Sequence, residues 1–156
     1  MQPTIKQENK TVSDWLLNYH ERLNAYKEKC SQFATLGATQ YDGMPKGTSV
    51  GNPTQSKGMS LANLETDKDW LLVVEATEST LSEKKRMFLH FRRQMVNNQY
   101  SNGGRPGWMD NVQYKYAEWH NRRYGCDHVP GRQTMLEWWK EIVEVGVRIA
   151  IRKKIL

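Results

Sequence analysis

The chain has 156 residues, 38% hydrophobic and 26% charged, with a formal net charge of +6. That length suits one domain, or a small domain with a helical extension. The two cysteines, Cys30 and Cys126, exclude a disulfide framework. No apolar run reaches membrane-spanning length and the N-terminus has no apolar signal region, so a soluble intracellular protein without membrane contact is expected.

The charge is unevenly placed. Residues 1–80 hold 8 Lys+Arg against 10 Asp+Glu, a net of −2, whereas residues 81–156 hold 15 against 7, a net of +8. A basic second half behind a neutral-to-acidic first half is the footprint of a nucleic-acid binder with a separate assembly or partner region. Four of the six tryptophans lie after residue 100, which concentrates the aromatic core at that end.

In chain order, residues 1–10 are polar and expected to fray. Residues 1–36 form an N-terminal amphipathic unit, its helix beginning near Ser13-Asp14 and ending near Leu36. Leu16, Tyr19, Leu23, Tyr26, Cys30 and Phe33 follow a heptad seam, which suits packing on another helix or on a symmetry mate. Residues 37–58, rich in Gly, Pro and small polar residues, read as a long flexible loop. Loops of that length inside a compact domain are usually functional or disordered. Within it, Tyr41, Met44, Pro45 and Lys46 are the candidate partner-contacting residues.

Residues 59–100 read as a helical middle region. One helix spans 59–79, with Leu61, Leu64, Leu71 and Val74 on a face broadened by Leu72 and Val73; the run from Asp69 to Glu75 also fits a short strand. Another helix spans 82–99, where Leu81, Phe88, Phe91 and Met95 share a stripe. Lys84, Lys85, Arg86, Arg92 and Arg93 crowd that helix and suit either phosphate contact or plain solvation. His20 and His90 flank apolar stripes and read as structural. Residues 97–107 form a polar, glycine-rich hinge.

Residues 101–156 read as a helix-turn-helix. Its first helix starts near Asp110, which can cap free backbone N–H groups. Val112, Tyr116 and Trp119 form its buried stripe, while Gln113, Lys115, His120, Arg122 and Arg123 stay wet. Gly125 stops it. After a short, tight connection, Pro130 suits the first position of the second helix. Met135, Trp139, Ile142 and Ile149 make the buried stripe of that helix, widened by Leu136, Val143, Val147 and Ala150. Arg132, Gln133 and Thr134 occupy its first turn, where a recognition helix meets base edges. Lys115, Arg122, Arg123, Arg105 and Lys140 are the candidate phosphate contacts. Glu137, Glu141 and Glu144 repel phosphate and confine any DNA contact to the first turn and Lys140. The same residues also fit two packed helices with an ordinary charged exterior.

No nucleophile and base occur in a recognisable pattern, and the stretch from Gly43 to Ser49 lacks the spacing of a phosphate-binding loop. Cys126, Asp127 and His128 with His120 do not form a familiar metal-ligand spacing. No catalytic residue, metal or cofactor is therefore expected.

The element order resembles that of the RinA/ArpU-type phage late-gene transcriptional regulators. So does the loop text Asp42-Gly43-Met44-Pro45-Lys46-Gly47-Thr48 followed by Asn52-Pro53-Thr54, and so does the segment from Pro130 to Thr134. Residues 101–107, the Trp138-Trp139 pair and the glutamates of the last helix depart from the family pattern, as in a divergent member. The resemblance implies an all-α protein in the host cytoplasm: a helical N-terminal platform and long loop, then a C-terminal helix-turn-helix. It implies activation of phage late genes for packaging, morphogenesis or lysis. The partners expected are double-stranded DNA, further copies of the chain and RNA polymerase. Two other functions fit the residues: a DNA-recognition subunit of a packaging machine, like a small terminase subunit, and an adaptor that binds protein and not DNA.

Overall fold

The computed structural model describes residues 4–39, 53–96 and 107–156, with side-chain surroundings defined for 4–34, 61–96 and 107–156. The regular structure of these residues is helical throughout: α1 Ile5–Leu17, α2 Tyr19–Thr39, α3 Pro53–Thr80, α4 Glu83–Gln94, α5 Trp108–Tyr124 and α6 Arg132–Arg152. None of these helices is long and apolar enough to cross a membrane.

The N-terminus departs from expectation. Helix begins at Ile5, because Thr4 and Gln7 form a capping pair in which the Thr4 amide donates to Gln7 Oε1 at 3.1 Å. The single helix expected from 13 to 36 is two helices, broken at Asn18. The Asn18 amide and its Nδ2 both donate to the Asp14 carbonyl, at 3.1 and 3.0 Å, and its ψ of 20° turns the chain off the helical path. The break lets α1 lie against α6, α3 and α4 while α2 runs back along α3.

That junction is held by polar staples. Arg93 of α4 donates from Nε to the Leu16 carbonyl at 2.6 Å, pairs with Glu78 of α3, and stacks over Tyr19 with 5.1 Å to the ring centroid. The Tyr19 hydroxyl donates to Glu75 at 2.9 Å. Burial, then the Glu75 carboxylate, pushes the Tyr19 phenol up to about 12. Arg93 has a side chain only 8% exposed, so it is neither a phosphate contact nor a solvating charge.

The heptad seam packs α2 on α3, with Tyr26, Cys30 and Phe33 facing Leu61 and Leu64 across a cleft of about 410 Å³. Cys30 is half-buried there. The segment from 37 to 58 is helical at both ends, since α2 reaches Thr39 and α3 starts at Pro53. Proline at a first helical position costs no hydrogen bond, which reconciles the sequence with the observed start. Residues 40–52 lie outside the described residues, and so do Tyr41, Met44, Pro45 and Lys46. The run from Asp69 to Glu75 is helix, burying Trp70, Leu71, Val73 and Val74, whereas Leu61 and Leu72 are exposed.

α4 starts as expected, with Ser82 accepting from the Lys85 amide at 3.4 Å. It buries Phe88 and Leu89, and Leu81 and Met95 flank it in the core. The core lies where α1, α3, α4 and α6 meet, around Val12, Leu16, Val73, Val74, Phe88, Leu89 and Ile142, all at most 1% exposed. Trp15 and Trp70 stack at its edge, 5.8 Å between centroids. The tightest approach is at Gly146 of α6. A Cβ there would meet Val12 Cγ1 at 2.6 Å, so α1 lies closer to α6 at this point than a side chain would allow.

Candidate nucleic-acid interface

α5 begins at Trp108, so Asp110 sits inside its first turn and does not cap it; Gly107 occupies the cap position. Val112 and Tyr116 are fully buried and Trp119 is half-buried, in line with the expected stripe. The helix stops at Gly125, whose φ of 74° is the left-handed conformation that glycine adopts without strain.

The connection to α6 is the main surprise. It covers the seven residues from 125 to 131, against the three or four of a tight helix-turn-helix turn. It runs back along α5. His120 donates from Nδ1 to the Cys126 carbonyl at 2.7 Å, the His128 ring sits 6.3 Å from Tyr116, and Gln113 donates to the Pro130 carbonyl at 2.8 Å. Arg132 then meets Asp110, 2.8 Å apart. The first turn of α6 therefore lies beside the start of α5 and not beside its end.

Two expectations fall with this path. His120 is buried, not wet, because the returning chain covers it and its Cys126 carbonyl accepts the Nδ1 hydrogen bond. Pro130 is buried two residues before α6, whose cap is Gly131, so it does not open the helix. Rings of Tyr116, Trp138 and Phe88 meet in sequence, the first pair tilted and the second edge-to-face, each 5.6 Å between centroids, and join α5, α6 and α4. Burial pushes the Tyr116 phenol up, and its hydroxyl has no hydrogen-bond partner among the described residues.

The anticipated DNA-contacting residues fall into separate groups. Arg132, Gln133 and Thr134 share the first turn of α6, where Gln133 is exposed, Thr134 half-buried and Arg132 held by Asp110. Lys140 is exposed two turns further on. Lys115 donates to Gln94 at 2.7 Å and lines a cleft of about 320 Å³ between α4 and α5 with Arg122, which pairs with Glu118. Arg123 meets Glu83 at 3.0 Å, and Tyr124 donates to the same carboxylate at 3.2 Å. The Arg123 hydrogen bond holds the Glu83 carboxyl below its ordinary range, and Arg123 is raised in return. Arg122 and Arg123 lie about 20 Å along α5 from Asp110, at 1.5 Å per residue. They do not join the α6 turn in one patch. Arg105 lies outside the described residues.

The acids behave as expected: Glu137, Glu141 and Glu144 are exposed, and Glu141 pairs with Lys85 of α4. Leu136 departs from its expected burial and is 44% exposed, beside Gln133 and Lys140 on the outer face. Val129 is 61% exposed just before the helix. Arg92 is drawn inward, its guanidinium 4.1 Å from the Trp108 ring centroid, and burial pushes it down to about 10.

One basic group lies outside the residues expected to contact DNA. Arg148, Arg152, Lys153 and Lys154 are all exposed at the end of α6 and have no carboxylate partner among the described residues. The run Arg152-Lys153-Lys154 was the available signal. No group of three metal-binding side chains occurs among the described residues.

Comparison of the chain with protein-family models, with curated proteins and with solved structures finds no match.

Proposed function

We propose that the chain is a sequence-specific regulator that binds double-stranded DNA and activates phage late genes as a homo-oligomer. The observation that carries this reading is the outer face of the first turns of α6. Gln133, Leu136 and Lys140 stand in solvent there, and Arg132 is tethered only by one half-exposed ion pair. Such pairs are worth about 0–1 kcal/mol, so a phosphate or a guanine edge competes for the arginine at little cost. Gln133 offers the amide pair that reads adenine, and Leu136 offers apolar contact to a thymine methyl. The net charge of +8 over residues 81–156 supplies the sequence-independent attraction. The likeness of the 42–54 text to the RinA/ArpU-type regulators supports the choice of a transcription factor over other DNA binders. The returning connection means that Arg122 and Arg123 contact, at most, a different stretch of backbone from that met by α6.

The test is retention of fragmented phage or host genomic DNA on the purified chain at rising salt, with sequencing of what remains. A site upstream of a gene block, retained at high salt and lost in Arg132→Ala and Gln133→Ala, is the expected result. Retention without sequence preference would point to packaging. No retention at low salt would leave α6 as a protein-binding face and overturn the reading.

A further inference from the structure

We propose that the C-terminal end of α6 is a second DNA contact, a patch for phosphate backbone built from Arg148, Arg152, Lys153 and Lys154. The inference rests on the DNA-binding reading above and adds a site to it. The four cations fall within seven residues, all exposed. On α4 to α6 most other cations are occupied: Lys85, Arg93, Arg122, Arg123 and Arg132 by carboxylates, Lys115 by Gln94 and Arg92 by Trp108. None of the four pairs with a carboxylate among the described residues; Glu144, one turn before Arg148 on the same face, is the nearest acidic side chain in sequence.

The patch is fixed in place. The Lys154 amide donates to the Ile151 carbonyl and the Ile155 amide to the Ala150 carbonyl, both at 3.0 Å, which together make the two bonds of a Schellman motif. Ile155 and Leu156 then fold back, half-buried, onto the core. Lys153 and Lys154 are thus presented by an ordered reversal of the chain. Lys154 stands at φ 57°, where glycine is the low-cost residue. One or two cations satisfy the negative end of a helix dipole, and that interaction is weak at an exposed position. Four within seven residues exceed what the helix needs.

Position favours duplex DNA as the ligand. Arg148 and Arg152 are one turn apart on the same face and suit bidentate phosphate contact. Gln133 and Arg152 are about 28 Å apart along the axis, at 1.5 Å per residue. That is comparable with the roughly 34 Å repeat of B-DNA, so one duplex can meet both ends. Glu137, Glu141 and Glu144 separate the ends and keep the two contacts distinct.

The experiment titrates the full chain against a 30-base-pair duplex over a range of KCl. It compares wild type, the pair R148Q/R152Q (which leaves the Schellman residues intact) and the quadruple variant that adds K153Q/K154Q. Circular dichroism checks that each is folded. Each lost phosphate contact should flatten the slope of log K against log salt by about 0.9. The expected flattening is therefore about 2 for the pair and 3–4 for the quadruple variant, equal on a random duplex and on a retained site. An unchanged slope while wild type binds would overturn the patch and leave the regulator reading intact. A loss confined to one sequence would overturn it also, since backbone contact carries no sequence information. Loss of binding to phosphatidylserine vesicles with DNA binding unaltered would assign the patch to lipid. Failure of wild type to bind either duplex at low salt would remove both proposals.

Discussion

The close approach at Gly146 sets up a test in which two simple rules give opposite signs. In an exposed helix, Gly→Ala stabilises by about 1 kcal/mol through propensity. Here the added methyl would stand 2.6 Å from Val12 Cγ1, with Thr77 Oγ1 at 3.5 Å and Leu16 Cδ1 at 3.9 Å. Ordinary carbon–carbon contact is about 3.5–4.0 Å, so roughly 1 Å must be found. Val12 is 1% exposed and its short branched side chain has no slack, so α1 itself must move. Overpacking of this kind costs about 1–3 kcal/mol. Gly146→Ala is therefore expected to lose about 0–2 kcal/mol net. Val12→Ala alone should cost about 2 kcal/mol, from two buried methyl groups and the cavity left behind. In the double variant the new methyl occupies that cavity, so the losses should fall short of additive by at least 1 kcal/mol. Urea unfolding followed by tryptophan fluorescence measures all four corners of the cycle. A Gly146→Ala protein more stable than wild type, or a cycle additive within about 0.5 kcal/mol, would refute the account of this contact.

Other consequences are testable on the same footing. Tyr116→Phe removes a buried hydroxyl without a partner and should be neutral or stabilising by up to about 1 kcal/mol; a loss above 1 kcal/mol in urea would show that the hydroxyl is satisfied. Glu78→Gln leaves the largely buried Arg93 without its counter-charge and should cost about 2–4 kcal/mol; an effect below 0.5 kcal/mol would place that pair among ordinary surface pairs. Lys154→Gly relieves the left-handed backbone and should raise stability by about 0.5–1 kcal/mol while weakening DNA binding, so the two readouts move in opposite directions. His90 is held below its ordinary value of 6.5 by burial and then by His20, Arg93 and Lys115, with Glu78 opposing. The unfolded chain then binds the proton more readily than the native one, so stability contributed at neutral pH should fall as pH drops below about 6.5. His90→Asn should flatten that fall, as read from melting temperature between pH 7.5 and 5; an unaltered slope would acquit His90.

What could be read from the sequence was what local rules encode. The stop at Gly125, the stripes of α4 and α5 and the all-helical class follow from periodicity and capping alone. The Thr4-x-x-Gln7 cap was also in plain view, but the polar composition around it reads as frayed chain. The end of α6 was hidden because lysine, not glycine, takes the left-handed position. The break at Asn18 carries no glycine or proline and depends on a side chain bonding its own preceding turn. The path of residues 125–131 was beyond reach, since a tight turn and a return along α5 use the same glycine stop. What decides between them is contact with His120, Gln113 and Asp110, which the connection meets only after folding. The fate of each cation was equally non-local: Lys85, Arg123 and Arg132 find acids 56, 40 and 22 residues away.

α6 serves both halves of the molecule, which constrains how the proposed DNA contact on its outer side can work. From Met135 to Ala150 its inner face is core, packed on α3 and α1, so its first turn is the end of a rigid rod and not a mobile loop. Side chains there are pre-positioned, and binding need not pay for ordering the backbone. The Arg132–Asp110 pair extends that order to one long side chain, at a contact weak enough to be exchanged. The Lys85–Glu141 pair acts on the acidic midsection. It draws one of three carboxylates towards α4, leaving Glu137 and Glu144 as the two of the three that form no ion pair among the described residues. The electrostatic barrier between the two ends of α6 is thus smaller than the sequence suggests, and duplex approach at both ends of the helix becomes compatible with glutamates between them.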